Sequence, residues 1–532
     1  MAAEKIIPLH EYDSMPFLTG LVLTLLLKYD RVLDPDVLRD AMIKLIDREG
    51  WRKLGSRLKR DMQKAKGNLV YHVPAKFDES NPAIAFSHVH YDTTMADHPL
   101  ARQFPSPKSS HLKGLPSVVL APAPIIPLAR RADAPRTMAE LIARGLPQLQ
   151  LHVVTFRDGT TVGISFLHSL LDGMGLGASG LLGAWSLVLH GKEDEVPPVC
   201  GDDQDVLAGL RKLHRPTPTG EGKPAAAPVE WKHARYLMGS LDVLKFILRR
   251  TWDILRYREE EMRVVRVPGA FVTRLREAVL ERLATTAMAG DSHDGAGDRS
   301  SLEGEATVAA EKKPWVSEGD VLVAWWSRYA TLHLANKPDK PVIVTNAYNM
   351  RKMLAGTLLP APPGDGERAP VYLANCATGL NVFTTVGGIA ETAATAAEVR
   401  RTLVELGTLD QLAVMQATVL PDPRKLWKMR MAGLPDAHMC IFTNWSQASF
   451  YQIDLSPAVV ARGEQQAGDG EGQGQGQVLP SFVACKMDSK VWPQRDQFVI
   501  IGKDGQGDYW ISGTLRKGLW AKIEEELGQE KV

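Results

Sequence analysis

Thr161-Val162-Gly163-Ile164-Ser165-Phe166-Leu167, followed at once by His168-Ser169-Leu170-Leu171-Asp172-Gly173, is the stretch on which the reading of this 532-residue chain turns. The first seven residues are partly β-branched and mostly apolar, which predicts a short buried strand. Beyond Gly173 come Met174-Gly175-Leu176-Gly177 and then Leu181, Leu182, Trp185 and Leu189. Those last positions recur at three and four, the spacing of one helix face. A histidine is therefore expected at a strand end with a carboxylate one helical turn on, where a general base would be built. The string alone is moderately specific: with 14 histidines in the chain, roughly 0.07 matches are expected by chance. His88 shows the hazard, since Asp92 follows it at the same spacing but Thr93 replaces the glycine.

Other segments fall into a consistent order around that motif. Pro8-Leu9-His10-Glu11-Tyr12-Asp13 leads into a strand expected over Leu21 to Leu27, and a helix from Pro35 runs into Gly50-Trp51-Arg52-Lys53-Leu54-Gly55-Ser56-Arg57-Leu58. Val316-Ser317-Glu318-Gly319-Asp320 opens a second helix that continues through Trp325 and Trp326. Arg351, then Tyr372-Leu373-Ala374-Asn375-Cys376, then Phe442-Thr443-Asn444-Trp445 complete the series. With the strand–histidine–turn–helix setting, these landmarks resemble the BAHD acyltransferases, the plant and fungal relatives of chloramphenicol acetyltransferase, over nearly the whole chain.

The resemblance implies an α/β protein of two chloramphenicol-acetyltransferase-like domains, each a mixed β-sheet covered by helices, with an active-site channel at the domain interface. It implies that His168 is the general base, taking the proton of an acceptor hydroxyl that attacks acyl-CoA directly. Histidine suits that work because its unperturbed pKa is about 6.5, and such a base contributes about 10²–10⁴-fold. By the same resemblance Asp172 is orienting and structural, turned away from the imidazole to pair with Arg351. Gly173 then permits a close approach or an unusual backbone angle. Trp445 is the candidate oxyanion donor through its indole N–H, and Thr443 is the candidate acceptor contact. The implied co-substrate is acyl-CoA, with acetyl-CoA the family-level expectation and with no permanently bound cofactor or metal. The implied acceptor is a hydroxyl of an apolar secondary metabolite such as a polyketide or terpenoid.

One departure stands out. After the Trp445 segment the plant enzymes carry Asp-Phe-Gly-Trp-Gly, whereas this chain has Asp454-Leu455-Ser456-Pro457-Ala458 and keeps only the aspartate. In the family that motif is structural and distant from the catalytic histidine. Its loss resembles the divergent fungal members that act in secondary-metabolite pathways.

Two other chemistries compete. His88-Val89-His90-Tyr91-Asp92, with Asp97 and His98 nearby, would place His88, His90 and Asp92 on one face of a strand, as metal ligands of a hydrolase require. The segment resembles the metallo-β-lactamase motif, but Thr93 stands where that motif needs a histidine. A non-catalytic or carrier-protein-dependent relative of the same fold is the third reading. Condensation domains have two adjacent histidines, however, and here Leu167 precedes His168.

Bulk properties narrow the classes further. Hydrophobic content of 44%, charge of 23% and a net charge of +1 describe an ordinary globular chain with no call for nucleic acid. Cys200, Cys376, Cys440 and Cys485 are scattered without ligand spacing, as free and mostly buried thiols would be. The first residues lack a signal-peptide layout, and the apolar run from Pro16 to Leu27 is too short to span a bilayer, so a cytoplasmic location is expected. The chain is also expected to be a monomer. The chain divides into an N-terminal domain at 1–215, a crossover loop and helix at 216–262, and a C-terminal domain at 263–532. Solvated insertions of Gly, Ser, Asp, Glu and Gln are expected near 288–313 and 463–477. In the crossover helix Leu241, Leu244, Leu248, Trp252 and Leu255 share a face flanked by Lys245, Arg249, Arg250 and Arg256. Such a helix can lie on a membrane, but packing of that face on the protein's own body is the plainer expectation.

Overall fold

The computed structural model of the chain describes residues 4–61, 68–105, 114–214, 229–291, 314–361, 364, 368–419, 430–460, 476–490 and 493–530. The expected linker at 216–230 and insertions near 288–313 and 463–477 lie largely outside those residues.

Two mixed sheets carry the architecture, with helices against them. The five-stranded sheet runs Phe482–Ser489, Leu21–Tyr29, Thr160–Leu167, Gln150–Thr155, Ala85–His90. Its central strand is buried at every position, which explains why Thr160–Leu167 reads as an apolar run without alternation. The polar residues in that strand are satisfied locally. Ser165 Oγ meets Thr24 Oγ1 at 2.9 Å, and Thr161 Oγ1 donates to the Leu128 carbonyl at 2.6 Å. Helices Pro35–Ile46 and Leu181–Leu189 pack together, and Trp185 donates its Nε1–H to the Leu38 carbonyl at 3.1 Å. Asp34 starts the first of these by accepting the amides of Asp36 and Val37, with Pro35 in the first helical turn.

The seven-stranded sheet runs Ala377–Thr385, Pro341–Asn349, His438–Asn444, Gln497–Lys503, Tyr509–Arg516, Glu260–Val267, Ser117–Leu120. Helix Glu318–Ala330 lies in its core with Trp325 and Trp326 fully buried beside Trp520, Phe442 and Phe498. Each such aromatic contributes about 2–3 kcal/mol by leaving water. A capping box, Ser317 with Asp320, starts that helix, and Arg400 donates to Asp320 at 2.8 Å. A three-stranded sheet, Lys5–Pro8, Asn68–Val73, Arg57–Asp61, completes the molecule.

Hydrogen bonding crosses the chain's midpoint in both directions. Phe482–Ser489 pairs antiparallel with Leu21–Tyr29, so the C-terminal half lends a strand to the N-terminal sheet. Ser117–Leu120 pairs with Glu260–Val267, so the N-terminal half lends one back. A third apolar cluster lies between them, joining Tyr12, Met15 and Leu18 to Met350, Leu354, Tyr372, Cys376 and Leu412.

The crossover helix, Ser240–Arg256, corrects the expectation that its apolar face packs inward. None of its residues is buried, and Leu241 and Trp252 are 73% and 70% exposed. The half of the helix that faces the body is fastened by ion pairs instead.

Candidate active site

His168 sits one residue past the central strand of the five-stranded sheet, where its amide donates to the Leu21 carbonyl at 2.8 Å and extends the ladder by a rung. A turn then closes, with the Leu170 amide on the Leu167 carbonyl and the Tyr71 hydroxyl on the Ser169 carbonyl, both at 2.9 Å. The imidazole is half-buried. Its Nδ1 is enclosed and has no hydrogen-bond partner among the described residues. Burial pushes its pKa below the ordinary 6.5, against a weaker upward pull from its own carbonyl and the Asp172 charge. The ring is therefore neutral near pH 7, the form in which it accepts a proton.

Asp172 is the N-cap of the short helix Gly173–Leu176, and its Oδ1 accepts the amides of Met174 and Gly175 at 3.1 and 2.9 Å. The same carboxylate bridges to the other sheet's elements. Arg351 grips it as a fork, Nη2 to Oδ1 at 2.8 Å and Nη1 to Oδ2 at 3.0 Å, and the Cys376 amide donates to Oδ2 at 2.9 Å. Burial alone would raise the Asp172 pKa, but the Arg351 charge and these donors outweigh it and hold the carboxyl below its usual range. With five donors on it, Asp172 has no lone pair free to partner the imidazole. Arg351 is itself placed by the carbonyls of Tyr372 at 3.0 Å and Ala374 at 2.8 Å.

Gly173 supplies close approach, not an unusual backbone angle. A Cβ there would fall 2.5 Å from the Trp445 Nε1, and its φ lies outside the left-handed range. The next glycines repeat the device, Gly175 against the Leu373 carbonyl and Gly177 against the Ala448 carbonyl. The run Gly173-Met174-Gly175-Leu176-Gly177 is thus the seam along which the histidine-bearing lobe meets segments of the second. Trp445 follows the strand His438–Asn444, is held by its amide on the Ile500 carbonyl at 2.8 Å, and packs edge-on against Phe450. Its side chain is buried, and no hydrogen bond from its indole N–H to another described residue is present. Thr443 is half-buried two residues earlier on that strand.

Asn375 and Asp13 enter the site although the sequence marked them only as landmarks. Asn375 Nδ2 donates to the His168 carbonyl and to Asp13 Oδ1, both at 2.8 Å, while its amide donates to Asp13 Oδ1 at 3.1 Å. Residues far apart in sequence thus clamp the backbone of the candidate base. Asp13 is enclosed, and burial raises its pKa to about 7 against the opposing charge of Lys53 and the Asn375 bonds.

The rival histidines are engaged differently. His88 Nε2 and His90 Nδ1 share the Thr155 hydroxyl at 2.8 and 3.0 Å, while Asp92 turns to Arg157 at 2.7 Å. Among the described residues no group of three or more His, Cys, Asp or Glu could hold a metal ion. Asp454, the survivor of the missing pentapeptide motif, accepts the amides of Ser456 and Val478 at 2.9 Å and lies 3.3 Å from His190. It builds a loop beside helix Leu181–Leu189 and touches none of the site residues named above.

No family model matches the chain. It is 32% identical over 527 residues to acetyltransferase adrJ of Penicillium rubens, covering 99% of this chain and 96% of that one. It is also 32% identical over 534 residues to transcriptional regulator calD of Penicillium decumbens, with the same shares covered. In three dimensions it is similar to the F. graminearum TRI101 crystallised with coenzyme A and T-2 mycotoxin, at a TM-score of 0.61 and 15% identity, over 98% of this chain and 97% of that one. That likeness concerns the fold.

Proposed function

The chain belongs to the BAHD family of acyl-CoA-dependent acyltransferases, and from that premise we propose that it moves an acetyl group from acetyl-CoA to a hydroxyl of an apolar secondary metabolite, with His168 as the base. The observation that carries the assignment of roles is the division of labour between His168 and Asp172. The carboxylate is consumed by Arg351 and three backbone amides, and the imidazole is left neutral and partly exposed.

The chemistry follows from those positions. The acceptor oxygen attacks the thioester carbonyl carbon while His168 Nε2 takes the hydroxyl proton. The negative charge that develops on the carbonyl oxygen is met by the Trp445 indole N–H, which sits against Gly173 and has no other described partner. Collapse expels the coenzyme A thiolate, and the imidazolium returns its proton to that sulfur. No acyl-enzyme forms, because the attacking group is the acceptor itself. Thr443, half-buried on the strand that leads into Trp445, borders the acceptor in this reading. Relatives named for acetyl transfer support the choice of acetyl, and the T-2 mycotoxin in the TRI101 structure supports a small-molecule acceptor. The domain limits near 215 and 263 and a cytoplasmic location belong to the same proposal. No helix among the described residues is long and apolar enough to cross a membrane.

The test is a matrix of acyl-CoAs against secondary-metabolite alcohols, reading free thiol release. Release that requires both partners, with intact-mass spectra showing no acylated protein, supports the proposal; an acylated chain refutes direct transfer. The equal identity to a relative named transcriptional regulator favours one other reading, a member that keeps the fold without turnover. That reading predicts that His168→Ala leaves the protein's biological effect unchanged.

A further inference from the structure

Helix Ser240–Arg256 is mounted with its apolar side outward. Leu241, Leu244, Ile247, Leu248, Trp252 and Leu255 form one stripe at helical spacing, and each is at least 50% exposed. Scattered exposed apolar residues are ordinary, but a continuous stripe of six, including a tryptophan, is not. The opposite side explains the mounting. Arg250 donates to Asp496 Oδ2 at 2.9 Å and to the Arg495 carbonyl at 3.1 Å. Arg495 donates to Asp253 Oδ2 at 2.9 Å and also to the Tyr257 carbonyl. Arg495 and Asp496 are both buried, so the helix is bolted on through its polar face.

We propose that this helix docks the protein on an anionic membrane, lying in the headgroup plane with Trp252 and the leucines in the acyl boundary. Charge selects the occupant. Lys245, Arg249 and Arg256 run along one edge of the stripe and are exposed, whereas Asp253 turns toward the body to meet buried Arg495 and Asp242 lies beside Lys245. Lys245 and Arg249 make direct ion pairs with Asp242 and Asp436, each at 3.5 Å, but all four side chains are on the surface, where such pairs are weak and exchangeable. An apolar stripe edged by cations, with tryptophan within it, matches the interface of a bilayer containing acidic lipids. A second copy of this chain fits less well, because antiparallel two-fold packing of the stripe brings the same cations together. With 17 residues and charges along its length, the helix lies on a bilayer and does not cross it.

Flotation of the purified full chain with lipid vesicles tests the proposal without any assay of acyl transfer. The chain should float with vesicles of phosphatidylcholine plus phosphatidylserine, much less with phosphatidylcholine alone, and less as salt rises. Leu248→Glu with Trp252→Glu, both at exposed sites, should lower the bound fraction at least about ten-fold with an unchanged circular dichroism spectrum. Hydrogen exchange on the wild-type chain gives a second reading: amides of 240–256 gain protection when acidic vesicles are added. Failure to float with acidic vesicles overturns the proposal. So does a lipid-free dimer, seen by sedimentation, that the double substitution dissociates.

Discussion

Removing the Arg351 side chain isolates the clasp between the two lobes. In Arg351→Ala the Asp172 carboxylate stays enclosed, 7% exposed, and loses both charge-assisted bonds while keeping the amides of Met174, Gly175 and Cys376. Breaking a buried pair from one side costs about 3–5 kcal/mol, and three surviving donors place this case at about 3 kcal/mol. Asp172→Asn strands Arg351 among the Tyr372 and Ala374 carbonyls, which it keeps, at about 2–3 kcal/mol. Independent losses would sum to about 5–6 kcal/mol, whereas the double variant leaves no orphaned charge and should cost about 3 kcal/mol. Equilibrium urea denaturation of the four proteins, followed by circular dichroism, reads the cycle. A coupling of about 2–3 kcal/mol is expected, and additivity within about 0.5 kcal/mol would refute the clasp. The pH dependence adds a check on sign. In the wild type the depressed Asp172 pKa contributes stability that is full above the unfolded value and lost as pH falls through the folded one. Without Arg351, burial dominates and reverses the direction of the shift, so the variant's penalty should shrink on acidification.

Three further predictions are independent of that cycle. Gly173→Ala drives a methyl onto the Trp445 indole and should lower kcat/KM about 10²-fold with acyl-CoA binding retained, as measured by initial rates and calorimetry. Trp445→Phe removes the oxyanion donor and should lower kcat about 10²–10³-fold with little change in KM, and equal loss in both would refute that role. Asp13, whose folded pKa of about 7 exceeds its unfolded value, makes a stability contribution that is full at low pH and lost as pH rises through 7. Asp13→Asn should flatten that trend in urea midpoints between about pH 4 and 7, while the wild type declines across that window.

What could be read from the chain divides along sequence distance. The strand ending at His168 and the small-residue helix that opens at Gly173 are local patterns, legible in fewer than about 20 residues. The helices at Pro35 and Glu318 were legible from their place among the family landmarks, and the structure adds the caps, Asp34 and Ser317, that start them. Arg351 was reachable only through the family resemblance, since it meets Asp172 across 179 residues. The Asn375 and Asp13 clamp on the His168 carbonyl has no local signal at all. Nor does the exchange of strands between halves, which depends on Phe482–Ser489 finding Leu21–Tyr29. The crossover helix shows the limit of periodicity most clearly. Spacing revealed its apolar stripe, but distant Arg495 and Asp496 decided which way the stripe faces.

The most direct test of the account is kcat/KM for acyl transfer by His168→Ala, alongside the wild-type pH profile, with folding verified by circular dichroism. The account predicts a loss of about 10²–10⁴-fold, together with a wild-type acid limb below the ordinary histidine pKa because desolvation disfavours the charged imidazole. A folded His168→Ala protein that transfers acyl groups at the wild-type rate would contradict it.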